Sequence, residues 1–158
     1  MIGPHCRIGG EVGGTVFQGF SNKSHDGHLG DSWIGSWANL GASTVNSNLL
    51  NTYGEVMMKL TPGGPRIRSG RQFLGCVIGD HAKTAIGTRI MTGTAIGTGA
   101  MVATSTPPPT TTPAFAWLTD DGTRVYRFEK FIDVARTVMS RREIPLQAAV
   151  EDRLRVLH

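Results

Sequence analysis

Apolar residues in this chain recur every sixth position. From Ile78 the pattern runs through Thr84, Ile90, Ile96 and Val102, and two residues before each of these stands a small side chain: Cys76, Ala82, Thr88, Thr94 and Ala100. A matching set, Val16, Asn22, His28, Ile34 and Leu40, runs through the first third of the chain, with Ser32, Ala38 and Thr44 at the small positions. Ile2 and Ile8 start a further block. Glycine often follows the aliphatic residue, as at Ile34-Gly35, Leu40-Gly41, Ile78-Gly79 and Ile96-Gly97. A period of six is neither the 3.6 of a helix nor the plain alternation of an ordinary strand. It fits a solenoid whose short strands each send one large side chain into a narrow three-sided interior and then turn a corner where only small residues fit. The pattern predicts a mainly β fold, a parallel β-helix. A glycine-rich β-sandwich is the competing reading, and the unbroken run Ile78–Val102 argues against it.

Residues 46–73 break the rhythm. Pro62-Gly63-Gly64-Pro65 predicts a turn, with Glu55–Leu60 and Ile67–Phe73 as the arms of a protruding hairpin. The domain reading is a solenoid over 1–106 with a loop at about 54–73, a Pro/Thr-rich connector over 107–118, and a helical extension over 119–158. Within the connector, Ala114–Leu118 adds an extended closing segment, as does Val125–Phe128 after it. In the extension, Phe128, Phe131, Ile132, Ala135, Val138 and Met139 fall on one helical face. Pro145 is expected to open a second helix with Leu146, Ala149, Val150, Leu154 and Leu157 inward. The hexads start at Ile2 with no cap before them, and an open solenoid end exposes unpaired strand edges. The chain therefore reads as the C-terminal part of a longer protein.

Composition narrows the function. Of 158 residues, 21 are Gly and only 18% are charged, against an average near 25%. That is too sparse for a charged tail. The sixteen Lys and Arg give a net charge of +4 but are dispersed and not interleaved with aromatics, a poor footprint for nucleic acid. No apolar run approaches the roughly 20 residues of a membrane span, and Met1 leads into Ile-Gly-Pro-His-Cys rather than a secretory leader. Two cysteines, without metal-ligand spacing, fit a reducing cytoplasm and no metal site. Gly97-Thr98-Gly99 lacks the spacing of a dinucleotide loop.

The stretch His25-Asp26-Gly27-His28-Leu29-Gly30-Asp31-Ser32-Trp33-Ile34-Gly35, then Asn39-Leu40-Gly41-Ala42-Ser43-Thr44 and Asn48, resembles the acetyltransferase domain of GlmU-type bifunctional enzymes. Ile78-Gly79-Asp80-His81 is similar to a later coil of that family, and the resemblance covers His25 to Val102. The C-terminal helical stretch resembles a GlmU-like branch of sugar nucleotidyltransferases. The resemblance implies a left-handed β-helix, a homotrimer, and N-acetylation of an amino-sugar 1-phosphate (glucosamine 1-phosphate) by acetyl-CoA on the way to UDP-N-acetylglucosamine. A sugar phosphate or nucleotide sugar is the implied small-molecule partner. The chain itself carries nothing like a nucleotidyltransferase phosphate loop.

Carried over by position, His25 is the implied general base, suited to take a proton from an attacking amine at neutral pH. Asn39 and Asn48 are implied contacts of the acceptor sugar, with His28 at the place of a sugar-contacting tyrosine and Lys23 beside them. Ala42, Ala85 and Thr104 are implied neighbours of the acyl donor. The family's phosphate lysine corresponds to Gly13, and Arg66, Arg68 and Arg71 of the hairpin are candidates to replace its charge. Each residue also has a structural role open to it. Asn39 and Asn48 suit stacked amide ladders between coils, and His28 suits a packed, hydrogen-bonded position. His5 and His81 suit solvated corners, and the arginines suit a solvated hairpin. As a whole, the chain reads either as an acyltransferase or as a non-catalytic trimerisation and regulatory module of a nucleotidyltransferase.

Overall fold

A computed structural model describes all residues, Met1 to His158. Parallel strands of two to four residues wind into a solenoid with three faces. One face is a five-stranded sheet of Val16–Phe17, Trp33–Ile34, Cys76–Ile78, Thr94–Ile96 and Thr111–Thr112. The second is seven-stranded: Arg7–Ile8, Asn22–Lys23, Asn39–Leu40, Lys83–Thr84, Met101–Ala103 and Ala116–Thr119 stack in parallel, and Gly122–Val125 closes the sheet as an antiparallel hairpin partner. The third face holds Val12–Gly13 beside Leu29–Gly30 and Val45–Asn46 beside Arg89–Ile90.

The core is the column of inward side chains. Phe17, Leu29, Ile34, Leu40, Ile78, Ile90, Ile96 and Val102 are all at most 2% exposed, and each such aliphatic burial is worth about 1.5–3 kcal/mol. The small corner positions Ala38, Thr44, Cys76, Ala82, Thr94 and Ala100 are sealed just as completely. Polar groups that enter this interior are mostly paired. Asn46 receives the Gly30 N–H at 2.8 Å and donates to Gly30 O and Ser32 Oγ at 2.9 and 3.0 Å.

The rhythm keeps its period but not its phase. In the second coil Phe17, Lys23 and Leu29 point inward, not Val16, Asn22 and His28, which are half-buried outside. The step from Leu29 to Ile34 is five residues instead of six, and the chain turns between them at Asp31, with φ +46°. The parallel stack also continues beyond 106, because Thr112 and Leu118 repeat the inward pattern above Ile96 and Val102. The hairpin forms between Met57–Met58 and Ile67–Arg68.

Two helices follow, α1 over Phe128–Ser140 and α2 over Ala148–Leu157. Phe128, Phe131, Ile132, Ala135 and Met139 of α1 are buried, and Val138 is turned toward the solenoid surface instead. Of α2 only Leu154 is buried; Val150 and Leu157 are 40% and 55% exposed, and the helix starts three residues after Pro145. The pair sits on a column of corner aromatics, His5, Phe20, Trp37 and His81, stacked ring on ring. Phe131 meets His81 edge-on at 5.8 Å. His81 is thus no solvated corner: it is 4% exposed beneath the helices.

Candidate functional site

The bend His25–Gly27 follows the strand Asn22–Lys23 and lifts His25 out of the solenoid. What holds the bend is inside. Lys23 occupies an inward position at 1% exposure, and its Nζ donates to Gly9 O at 3.2 Å, His25 O at 2.7 Å and Asp26 O at 3.0 Å. Three carbonyls replace the water that the ammonium gave up. Burial still lowers the Lys23 pKa from its usual value, partly offset by Asp26. Outside, Ser43 donates to Asp26 Oδ2 at 2.9 Å. Gly27 turns the chain at φ +114°, where a Cβ would run into Thr44 O.

His25 faces a groove of about 380 Å³ between the seven-stranded face and the end of α1. Asn39 and Ala42 line the same groove from the next coil, and Asn22 joins them. Asn22 Nδ2 donates to Asn39 Oδ1 at 3.4 Å, one rung of an amide ladder. Three cations surround these groups: Arg7 from the first coil, and Arg141 and Arg142 from the end of α1. No carboxylate lines the groove, so its field is positive. The arrangement offers an exposed imidazole, two amides for hydroxyl or amine groups, and guanidinium forks suited to phosphate oxygens.

The other candidates lie elsewhere. Asn48 donates to Asp31 Oδ2 at 2.6 Å near Gly30, and His28 Nδ1 lies 3.2 Å from Asn46 O; both are on the third side of the prism, outside the groove. Lys23 acts from beneath. Ala85 and Thr104 continue the corner of Ala42 in the next two coils, Ala85 directly against Gly41 and Thr104 with its Oγ1 bonded to Thr106 O. None of the hairpin arginines lines the groove. Arg68 is paired with Glu55 at 2.5 Å, Arg66 lines a separate cavity beside Met57 and Lys59, and Arg71 is exposed. The arginines that do reach it are Arg7, Arg141 and Arg142, and the last two announce themselves only as a basic pair just past Met139, the last buried residue of the α1 face.

No family model matches the chain. Over 83 residues, 52% of its length, it is 39% identical to a bifunctional sugar-1-phosphate nucleotidylyltransferase/acetyltransferase of Sulfurisphaera tokodaii, covering 20% of that protein. Across the same share of the chain it is 35% identical to the bifunctional protein GlmU of Methanococcus vannielii and 32% to that of Methanococcus aeolicus. The relatives of this chain are GlmU-like bifunctional proteins. It spans about a fifth of the length of those relatives. No helix is long and apolar enough to cross a membrane.

Proposed function

We propose that this solenoid is an acyltransferase domain that moves an acetyl group from acetyl-CoA to the amine of an amino-sugar 1-phosphate. The observation that carries the reading is the meeting of His25, Asn39 and Ala42 in one groove ringed by Arg7, Arg141 and Arg142. The amine nitrogen attacks the thioester carbonyl while His25 takes its proton. The tetrahedral intermediate collapses, the C–S bond breaks, and the CoA thiolate leaves and is protonated. Asn22 and Asn39 orient the sugar, and the arginines take its phosphate in place of the family's lysine. A second copy of the chain completes the site. Ile86, 79% exposed on the groove wall, is the kind of apolar surface that such a neighbour covers. The full protein then works as a trimer in a cytoplasmic route to nucleotide sugars.

Purified protein is expected to release CoA thiol from acetyl-CoA only when glucosamine 1-phosphate is present. His25→Ala should slow that release by about 10²–10⁴-fold, the usual worth of a general base. Thiol release that ignores the sugar, or a His25→Ala rate equal to the parent's, would overturn the reading. It would leave a trimerising module in its place, which light scattering checks.

A further inference from the structure

The seven-stranded face ends in the hairpin of Ala116–Thr119 and Gly122–Val125, and this hairpin meets the start of α1 around a cavity of about 320 Å³. That volume lies at the small end of the range for ligand sites. Trp117, 39% exposed, forms one wall, and Tyr126 stands edge-on to it with ring centroids 4.8 Å apart. Arg124, Arg127 and Lys130 surround the aromatic wall. None of the three is paired with a carboxylate, and Asp121 shares the rim without forming an ion pair.

Folding does not account for this composition. Every residue of Gly122–Val125 is exposed, so the strand buries little that would require its cations. Arg127 is the N-cap of α1 and Lys130 lies in its first turn, where the helix dipole is positive and cations weaken the helix. An accessible indole offers a face for a planar ring, and three unpaired cations offer charge-assisted hydrogen bonds to phosphate oxygens.

We propose that the hairpin pocket binds a nucleoside diphosphate, its base against Trp117 and its phosphates among Arg124, Arg127 and Lys130. The solenoid fixes how far this lies from the groove. Asn39, Lys83, Met101 and Trp117 are outward-facing register partners in successive coils. Three strand steps of roughly 4.8 Å put Trp117 about 14 Å along the axis from Asn39. A nucleotide here has two sources: the nucleotide end of the acyl donor whose thioester lies at His25, or a free nucleotide. Only the first rests on the acyltransferase reading.

The test is a fluorescence titration of the full chain with ADP and, separately, with inorganic pyrophosphate. ADP is expected to quench saturably, and pyrophosphate, which lacks the ring, to bind at least about tenfold more weakly. The exposed double variant Arg124→Ala/Arg127→Ala should weaken ADP by about tenfold or more, the scale of charge-assisted bonds to phosphate, with an unchanged melting temperature. No saturable quenching, equal affinity for pyrophosphate, or a double variant that binds ADP as the parent does would each overturn the proposal. Competition separates the sources: displacement of ADP by CoA identifies the donor's nucleotide end, and ADP binding undisturbed by CoA identifies a free nucleotide. Failure of sugar-dependent thiol release sinks acyl transfer alone, because ADP binding is read independently of turnover.

Discussion

Arg142 Nη2 donates to Asn22 Oδ1 at 3.1 Å, joining the end of α1 to the second coil across 120 residues of sequence. Asn22 passes the connection on to Asn39. Guanidinium and two amides thus run in a line along the groove that His25 faces, and the helical extension becomes part of the site rather than an appendage to it.

The Arg142→Ala variant tests that relationship. Loss of a charge-assisted bond to phosphate costs about 1.5–3 kcal/mol, so the KM for the sugar phosphate should rise by roughly tenfold or more, with kcat little changed. Arg142→Lys should recover only part, because an ammonium lacks the planar fork. Steady-state thiol release against sugar phosphate concentration measures both. A KM that stays put removes Arg142 from acceptor binding.

His81 makes stability depend on acidity. Burial first, and the nearby Lys83 second, push its pKa down from 6.5 to about 4, and its Nδ1 has no hydrogen-bond partner. Between these two values the unfolded chain binds more protons than the folded one, so stability falls as pH falls from about 6.5 toward 4. The full loss is about 3 kcal/mol. Urea midpoints at about pH 7 and about pH 4.5 should differ in this sense, and His81→Phe should narrow the gap. An equal gap in both proteins would assign the acid sensitivity to other groups.

The two thiols should differ sharply. Cys76 is wholly buried, its Sγ lies 3.4 Å from Ser32 Oγ, and burial pushes its pKa up to about 11. Cys6 is half-buried and unpaired. A thiol reagent at about pH 8 should modify Cys6 in the native protein and Cys76 only after unfolding, since the thiolate is the reacting form. Two rapid equivalents in the native state would show an interior more open than described.

Much of the architecture is legible in the chain itself, because a solenoid writes its geometry as a local period. The aliphatic beat from Ile78 to Val102 and the small residues before each member mark the inward column and the corners, and Phe128 to Met139 mark the core face of α1. Phase is harder: one shortened corner at Asp31 put Val16, Asn22 and His28 one residue off the inward column and hid Lys23 among the inward side chains, where no hydropathy pattern places a lysine. Of the groove, His25, Asn39 and Ala42 are residues to which the family resemblance points, and they line it together. No such pointer exists for Arg141 and Arg142, since helix docking onto a distant coil leaves no periodic trace. Asn48 is close to Asn39 in sequence yet lies around a corner, bonded to Asp31, which linear spacing cannot distinguish.

Phe20, Trp37 and His81 all take φ near +60° at equivalent corners, a backbone setting that costs a non-glycine residue on the order of 1–3 kcal/mol. Their rings, with centroids 4.2 and 6.2 Å apart, repeat at close to the pitch of the coils beneath them. The column is therefore a gauge. By seating Phe131 against His81 it fixes the height of α1 along the prism, and a slip of a single rung would carry the Arg142 guanidinium roughly 5 Å past its asparagine.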